Sequence, residues 1–197
     1  TISLGTAMDT GDPTGDVTAR APIPELDEAA VRLALSSFVG DSMQRPPAYS
    51  AVKVNGKRLY KYAREGTPVQ AEPRPIHISE MSLVCLGKES LSLRVTCSRG
   101  TYVRVIAEEV AQALGTVGHL SELRRARSGP FELEQAISFP ELSMMVSQRD
   151  DWQAVLRPPR GAERVPWASR DEVWEKLQGL LQPPARMLAH LPAVQLS

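Results

Sequence analysis

Apolar residues recur along this chain with two periods, and the switches between them mark out its elements. Between residues 27 and 38, Val31, Ala34, Leu35 and Phe38 fall on one face of a helix. Asp27 is placed to cap the first turn of that helix, and Gly40 to end it. Asn55-Gly56, between strand-like runs over 49–54 and 57–60, predicts a tight hairpin, because both turn residues need positive φ. A helical turn over 61–65, closed by Gly66, follows. The period then becomes two. Residues 76–78 with 81–86 form one strand region and 91–97 another, in which Leu91, Leu93, Val95 and Cys97 share a face. Ser98-Arg99-Gly100-Thr101 turns the chain into a helix over 102–114, with Val103, Ile106, Val110 and Leu114 inward and Gly115 as its stop.

The flanks are less regular. The first 24 residues are rich in Gly, Pro, Thr and Asp, and 9–15 reads as consecutive turns. Residues 119–125 read as a second, shorter helix, broken by Gly129-Pro130. From 132 onward the pattern is mostly helical with loops. A polar, proline-containing loop spans 157–167, and Ser169 with Glu172 caps a helix over Val173, Trp174, Leu177 and Leu181 that Pro183-Pro184 stops. No segment repeats. Strands, antiparallel hairpins and helices in this mixture predict an α+β fold, a mixed and largely antiparallel sheet with flanking helices.

Composition narrows the classes. Hydrophobic residues make up 42% and charged residues 23% of 197, enough for a packed core and inconsistent with dominant disorder. No apolar run approaches the roughly 18–20 residues of a membrane helix. The opening Thr-Ile-Ser-Leu-Gly lacks the basic start and apolar core of a secretory signal. It also lacks an initiator Met, so the true start is expected upstream. Cys85 and Cys97 are too few for a disulfide scaffold, and His77, His119 and His190 are scattered, so a metal site is not expected and a reducing cytoplasm is. Lys plus Arg and Asp plus Glu are 23 each, a balance unlike the basic excess of most nucleic-acid binders. Yet residues 41–66 concentrate Arg45, Lys53, Lys57, Arg58, Lys61 and Arg64 against Asp41 and Glu65, either a phosphate-binding face or a solvated hairpin.

Four stretches could carry chemistry. In Cys97-Ser98-Arg99-Gly100-Thr101-Tyr102-Val103-Arg104 a strand end meets a helix start, where side chains point into clefts. Tyr102 offers a ring and an acidic OH, and Arg104 a planar fork for a carboxylate or phosphate. The alternative packs Tyr102 in the core and pairs Arg104 with Glu108 one turn on. Arg124, Arg125 and Arg127 suit phosphates, or simply end a basic helix in solvent. In Gln44-Arg45-Pro46-Pro47-Ala48-Tyr49-Ser50-Ala51-Val52-Lys53, prolines fix the approach and then a Tyr and a Lys enter a strand. The turn holding Asp9 and Asp12 is a candidate acidic site or a plain Asx-turn loop.

Taken together, these stretches resemble the bacterial TruB family of tRNA pseudouridine synthases. Residues 46–66 look like its central hairpin and following turn, and Cys97-Ser98-Arg99-Gly100-Thr101-Tyr102-Val103-Arg104 is similar to its CS(K/R)GTY(I/V)R motif. His119-Leu120, Leu123-Arg124-Arg125 and Ser128-Gly129 match H-L-x-x-L-R-R-x-x-S-G, and Leu4-Gly5 with Asp9-Thr10, Asp12 and Gly15 match LG…DT.D..G. Met8 stands where the family usually has Thr, and the loop at 157–167 has no clear counterpart.

The resemblance implies a cofactor- and metal-free isomerase, acting as a monomer on the T-arm of tRNA. Such an enzyme flips a uridine out and detaches its base with an Asp nucleophile. It implies Tyr102 beside the flipped base, Arg104 paired with the catalytic Asp, and Asp12 near the nucleotide. Leu123, Lys53 and Tyr49 fall to substrate binding, and Lys57, Arg58, Arg124 and Arg125 to RNA contact. The family's G-H-T-G-x-L-D-P motif, which carries the nucleophile, does not occur in these 197 residues, nor does its base-stacking Tyr. The expectation is therefore a fragment, inactive alone. Residues 1–140 would be the central and C-terminal part of the catalytic domain, and 141–197 a helical tail leading toward an RNA-binding PUA module. An RNA-binding module without catalysis is the alternative.

Overall fold

The computed structural model of the chain describes residues 1–138 and Pro140. The chain divides into two compact units, Thr1–Leu123 and Arg124–Ser197.

The first unit is built on five strands in the order β4-β7-β8-β1-β9, and every pairing among them is antiparallel. These are β1 (Ile2–Leu4), β4 (Gly40–Gln44), β7 (Arg74–Leu86), β8 (Ser90–Cys97) and β9 (Gly118–Leu120), with a separate hairpin of β2 (Thr6–Met8) and β3 (Val17–Arg20). Two helices, α1 (Glu28–Ser36) and α3 (Val103–Ala113), share one core with the sheet. Val31 and Leu35 of α1 and Ile106, Ala107, Val110 and Ala111 of α3 are buried with Ile2, Leu4, Ile78 and Leu91. The α+β expectation holds, with one face of the sheet covered, as antiparallel sheets allow.

Local chemistry accounts for most boundaries. Asp27 caps α1, its Oδ1 accepting from the Ala30 N–H at 2.9 Å. The helix ends at Ser36, however, and Gly40, at φ +117°, opens β4 rather than stopping α1. Asn55 (φ +50°) and Gly56 (φ +79°) make the tight turn between β5 (Lys53–Val54) and β6 (Lys57–Arg58). The helix α2 (Leu59–Arg64) follows.

The strand regions at 76–78 and 81–86 are one strand, β7, broken in register between Ile78 and Glu80. The extra residue flips the side-chain alternation, so that Ile76 and Ile78 before it and Met81 and Leu83 after it all reach the core.

The turns expected at 9–15 are present, the residues around them hold strands as well, and the expected second helix fails. Residues 1–24 carry three strands, and β1 lies inside the main sheet between β8 and β9. Their shortness hides them, since a three-residue strand shows no measurable period. The helix expected from His119 is instead β9, whose residues are all buried. Its His119 ring nitrogen Nδ1 lies 2.8 Å from the Thr6 carbonyl oxygen.

In the second unit, β10 (Arg127–Ser128) and β11 (Phe131–Glu132) form a hairpin through Gly129 at φ +57°, followed by a 3-10 turn, Leu133–Gln135. The loop expected at 157–167 and the capped helix after it lie outside the described residues.

Candidate active site

The site grows from the 9–16 turn. Asp9 Oδ1 accepts from the Asp16 N–H at 2.9 Å, and Asp12 Oδ1 accepts from the Thr10 hydroxyl at 2.9 Å, the Thr14 N–H at 3.1 Å and the Thr14 hydroxyl. This is the Asx-turn of the bland expectation. It is knotted tightly enough that a Cβ on Gly15 would lie 2.0 Å from Asp9 Oδ1. The Gly11 carbonyl then accepts from the Leu120 N–H at 3.0 Å, tying the turn to β9.

Arg104, in the first turn of α3, reaches across to this knot. Its Nη1 donates to the Thr10 carbonyl at 2.8 Å and to Asp12 Oδ2 at 3.0 Å, and its Nη2 to the Tyr49 carbonyl at 2.9 Å. The pairing weighed for it with Glu108 is replaced by one with Asp12. A helix N-terminus disfavours a cation, and the carboxylate and carbonyls offset that preference. Tyr49 closes the ring, its hydroxyl donating to Asp9 Oδ2 at 2.9 Å. Asp9, Asp12, Tyr49 and Arg104 thus form one network drawn from three segments.

Tyr102 stands next to it as the N-cap residue of α3, half-buried rather than in the core. Its main chain is held by Gln44, the last residue of β4. The Tyr102 N–H donates to Gln44 Oε1 at 2.7 Å, and Gln44 Nε2 donates to the Tyr102 carbonyl at 3.2 Å.

Titration follows this geometry. The Asp12 carboxyl is held below its ordinary value, chiefly by the Thr14 hydroxyl, against the opposing effect of burial and with help from Thr10 and Arg104. The Tyr49 phenol is raised, first because it donates to Asp9. Burial raises the Glu108 carboxyl although Arg104 pulls it down. Asp12 is therefore a fixed carboxylate, unsuited to giving and taking protons.

The remaining expected residues do not converge on this network. Lys53 is exposed in β5 opposite Arg58. Leu123 is 59% exposed. Arg124 and Arg125 are exposed in the second unit. Residues 45–73 leave the sheet between β4 and β7 as an arm, closed at its root by Arg45 Nη1 donating to the Ala71 carbonyl at 2.9 Å. On the arm, Lys57 pairs with Glu65 and lies 4.5 Å from the Tyr62 ring centre, while Arg58 and Arg64 flank the Tyr60 ring at 6.0 and 5.4 Å. Among the described residues no group of three or more His, Cys, Asp or Glu could hold a metal ion, and no helix is long and apolar enough to cross a membrane.

Sequence reasoning missed Gln44 and undervalued Asp9. Gln44 belongs to a stretch already singled out, but a polar residue in a polar strand gives no sign of being buried. Asp9 was legible as a turn residue only.

The family model described as "TruB family pseudouridylate synthase (N terminal domain)" matches residues 1–103, and "tRNA pseudouridylate synthase B C-terminal domain" matches 104–188. The tRNA pseudouridine synthase B of Psychrobacter cryohalolentis is 46% identical over 145 residues, covering 74% of this chain and 40% of its own length. That of Burkholderia mallei is 45% identical over 158 residues, covering 80% of this chain and 51% of its own length. That of Aromatoleum aromaticum is 38% identical over 196 residues, covering all of this chain and 54% of its own length. The chain thus spans roughly half the length of these relatives.

Two solved structures share the fold. One, a Cbf5-Nop10-Gar1 complex, matches with a TM-score of 0.59 at 24% identity, over 97% of this chain and 43% of the other. The second, an H/ACA RNP bound to a substrate RNA containing 2'-deoxyuridine, matches with a TM-score of 0.54 at 20% identity, over 97% and 41%. With one family model covering more than half of its residues and a second continuing from it, the chain belongs to the TruB family of pseudouridylate synthases.

Proposed function

We propose that this chain supplies one side of the active site of a tRNA pseudouridine synthase, an isomerase of uridine in the T-loop that works as a monomer in the cytoplasm without metal or cofactor. The observation that carries the reading is the Arg104 fork, held by Asp12 and two carbonyls beside Tyr102 at a helix entry. In the reaction the N1–C1' bond of the uridine breaks, the base turns, a C5–C1' bond forms, and a proton leaves C5 while N1 gains one. The target base must leave its stack, and the enzyme bears that cost in binding. Arg104 keeps a nucleophilic carboxylate ionised and oriented, which its fixed charge and planar fork suit. Tyr102 lies against the flipped base and takes the C5 proton, with Asp12 holding Arg104 from behind.

The nucleophile comes from a segment outside these 197 residues. Neither local acid is free for the task, because Asp12 is engaged by Arg104, Thr10 and Thr14, and Asp9 by Tyr49 and Asp16. Leu123, Lys53 and Tyr49 contact the substrate, and Leu123 has the exposure to do so. Lys57 and Arg58 on the arm contact RNA phosphates, as do Arg124 and Arg125 in the second unit.

Tritium release from C5-labelled tRNA tests the reading. The full-length protein is expected to release tritium and the 197-residue chain to bind tRNA without release. Turnover by the chain alone would refute the division and turn attention to Asp9 or Asp12 as nucleophile. Neutralising Lys57 and Arg58 together is expected to weaken tRNA binding and to flatten its dependence on salt. An unchanged salt slope would return the arm to a solvated hairpin.

A further inference from the structure

Gln44 is a buried side chain at the junction of the arm and the site. It is 3% exposed, at the last position of β4 before the chain departs into residues 45–73. Its amide acceptor and one amide donor are both spent on the main chain of a single residue, Tyr102, 58 positions away. That double exchange is the pairing one strand makes with another, performed by a side chain at a place where no strand runs.

Tyr102 needs such a partner. As the residue before α3, its N–H has no acceptor within the helix. Its carbonyl serves the Ile106 N–H at 3.2 Å and has a second lone pair for Gln44. A side chain replacing Gln44 must offer a donor and an acceptor in one plane at that length. Glu lacks the donor, Met lacks both, and Asn is one methylene short.

We infer that Gln44 is a positioning residue of the isomerisation, holding the Tyr102 main chain, and with it the Tyr102 ring and the Arg104 fork two residues on, in register with the root of the RNA-binding arm. The inference rests on the function proposed above. Arg45, the next residue, fastens the other side of the root, its Nη1 donating to the Ala71 carbonyl. The two neighbours therefore separate the roles: Gln44 faces the reaction, Arg45 the arm.

The test compares Gln44→Met and Arg45→Met in the full-length protein on a tRNA transcript, and follows amide exchange at Tyr102 in the 197-residue chain. Gln44→Met is expected to lower kcat by about tenfold or more while KM stays within about threefold, because positioning acts on the bound state. It is also expected to speed Tyr102 amide exchange by about tenfold or more, since an N–H without an acceptor exchanges from small openings. Arg45→Met is expected to raise KM through the arm while leaving kcat and Tyr102 exchange unchanged. Equal losses of kcat in both variants would overturn the assignment in favour of general loosening of the arm root. So would an unchanged kcat in Gln44→Met, with the proposed function left standing. No turnover with Gln44 in place would refute the proposed function itself, and Tyr102 exchange unaltered by Gln44→Met would refute the hold on its main chain.

Discussion

Replacing Arg104 tests the network at its centre. The side chain makes three hydrogen bonds, two to neutral carbonyls and one to the Asp12 carboxylate. A partly exposed bond from the guanidinium to a carbonyl contributes about 1 kcal/mol and one between two charged groups about 1.5–3 kcal/mol. The Arg104 and Asp12 side chains are 24% and 27% exposed, so the charged bond belongs at the low end of that range. Arg104→Met removes all three, and the unit spanning Thr1–Leu123 is expected to lose about 3–4 kcal/mol. Arg104→Lys keeps the charge but cannot reach both the 10–12 turn and the Tyr49 carbonyl, for a loss of about 1–2 kcal/mol.

The assay must report on the right unit. Trp152, Trp167 and Trp174 all follow residue 140, so tryptophan fluorescence is the wrong probe. Exchange of the slowest amides of β1 and β8 gives the opening free energy directly. The order wild type, Lys, Met is the expected one, and a Met variant within about 0.5 kcal/mol of wild type would mean that the fork does not close in solution. In the full-length enzyme, Arg104→Lys is expected to cut turnover by about 100-fold at nearly unchanged tRNA affinity, because a misplaced clamp is felt in the reaction rather than in binding.

Other perturbations probe the frame of the site. A Cβ on Gly118 would lie 2.7 Å from the Ser3 carbonyl oxygen and 2.8 Å from Ala111 Cβ, so Gly118→Ala should cost about 2–3 kcal/mol by thermal melting followed in the far ultraviolet. An unmoved Tm would place β9 farther from its neighbours. The Thr116 hydroxyl is buried without a hydrogen-bond partner, so Thr116→Val should be neutral or stabilising, and a loss above about 1 kcal/mol would reveal a partner. Burial raises Glu108 above 4.5, so the folded unit binds the extra proton and loses stability as pH rises through the folded value. Asp12, held below 3.8 chiefly by the Thr14 hydroxyl, contributes stability that disappears as pH falls through its folded value. Glu108→Gln should therefore stabilise more near pH ~7 than near pH ~4.5 in paired denaturant titrations, and the reverse order would refute the assignment to burial.

What the sequence reveals depends on how many residues share a signal. The helices α1 and α3 were legible because four apolar positions repeat in each, and the 55–56 turn because Asn-Gly admits few conformations. The strands β1 and β9 were not, because three residues carry no period and their burial comes from each other and from β8. The same contrast holds at the site. Tyr102, Arg104 and Asp12 could be named because a recurrent motif carries them. Nothing local could show that Arg104 turns away from Glu108, its neighbour one turn along, toward a carboxylate 92 positions earlier, since that choice is made by the turn that Leu120 fastens beside it. Gln44 was hidden for the same reason: its partner is a peptide group, which every residue has.

The place of β1 bears on how this unit comes into being. β1 lies between β8 and β9, which are made some ninety to one hundred and twenty residues after it. Until then Ile2 and Leu4 lack their β8 and β9 partners, and the hairpin of β7 and β8 can close without them. The sheet is completed only when His119 and Leu120 arrive on the far side of β1, so loop closure across nearly the whole unit is the late and slow event. Until then Arg104 has no turn to hold, because the Gly11 carbonyl gains its Leu120 partner in the same step. Deleting Ile2–Leu4 would therefore part β9 from β8, and α3 would keep its helix while the turn that Arg104 holds lost its fastening.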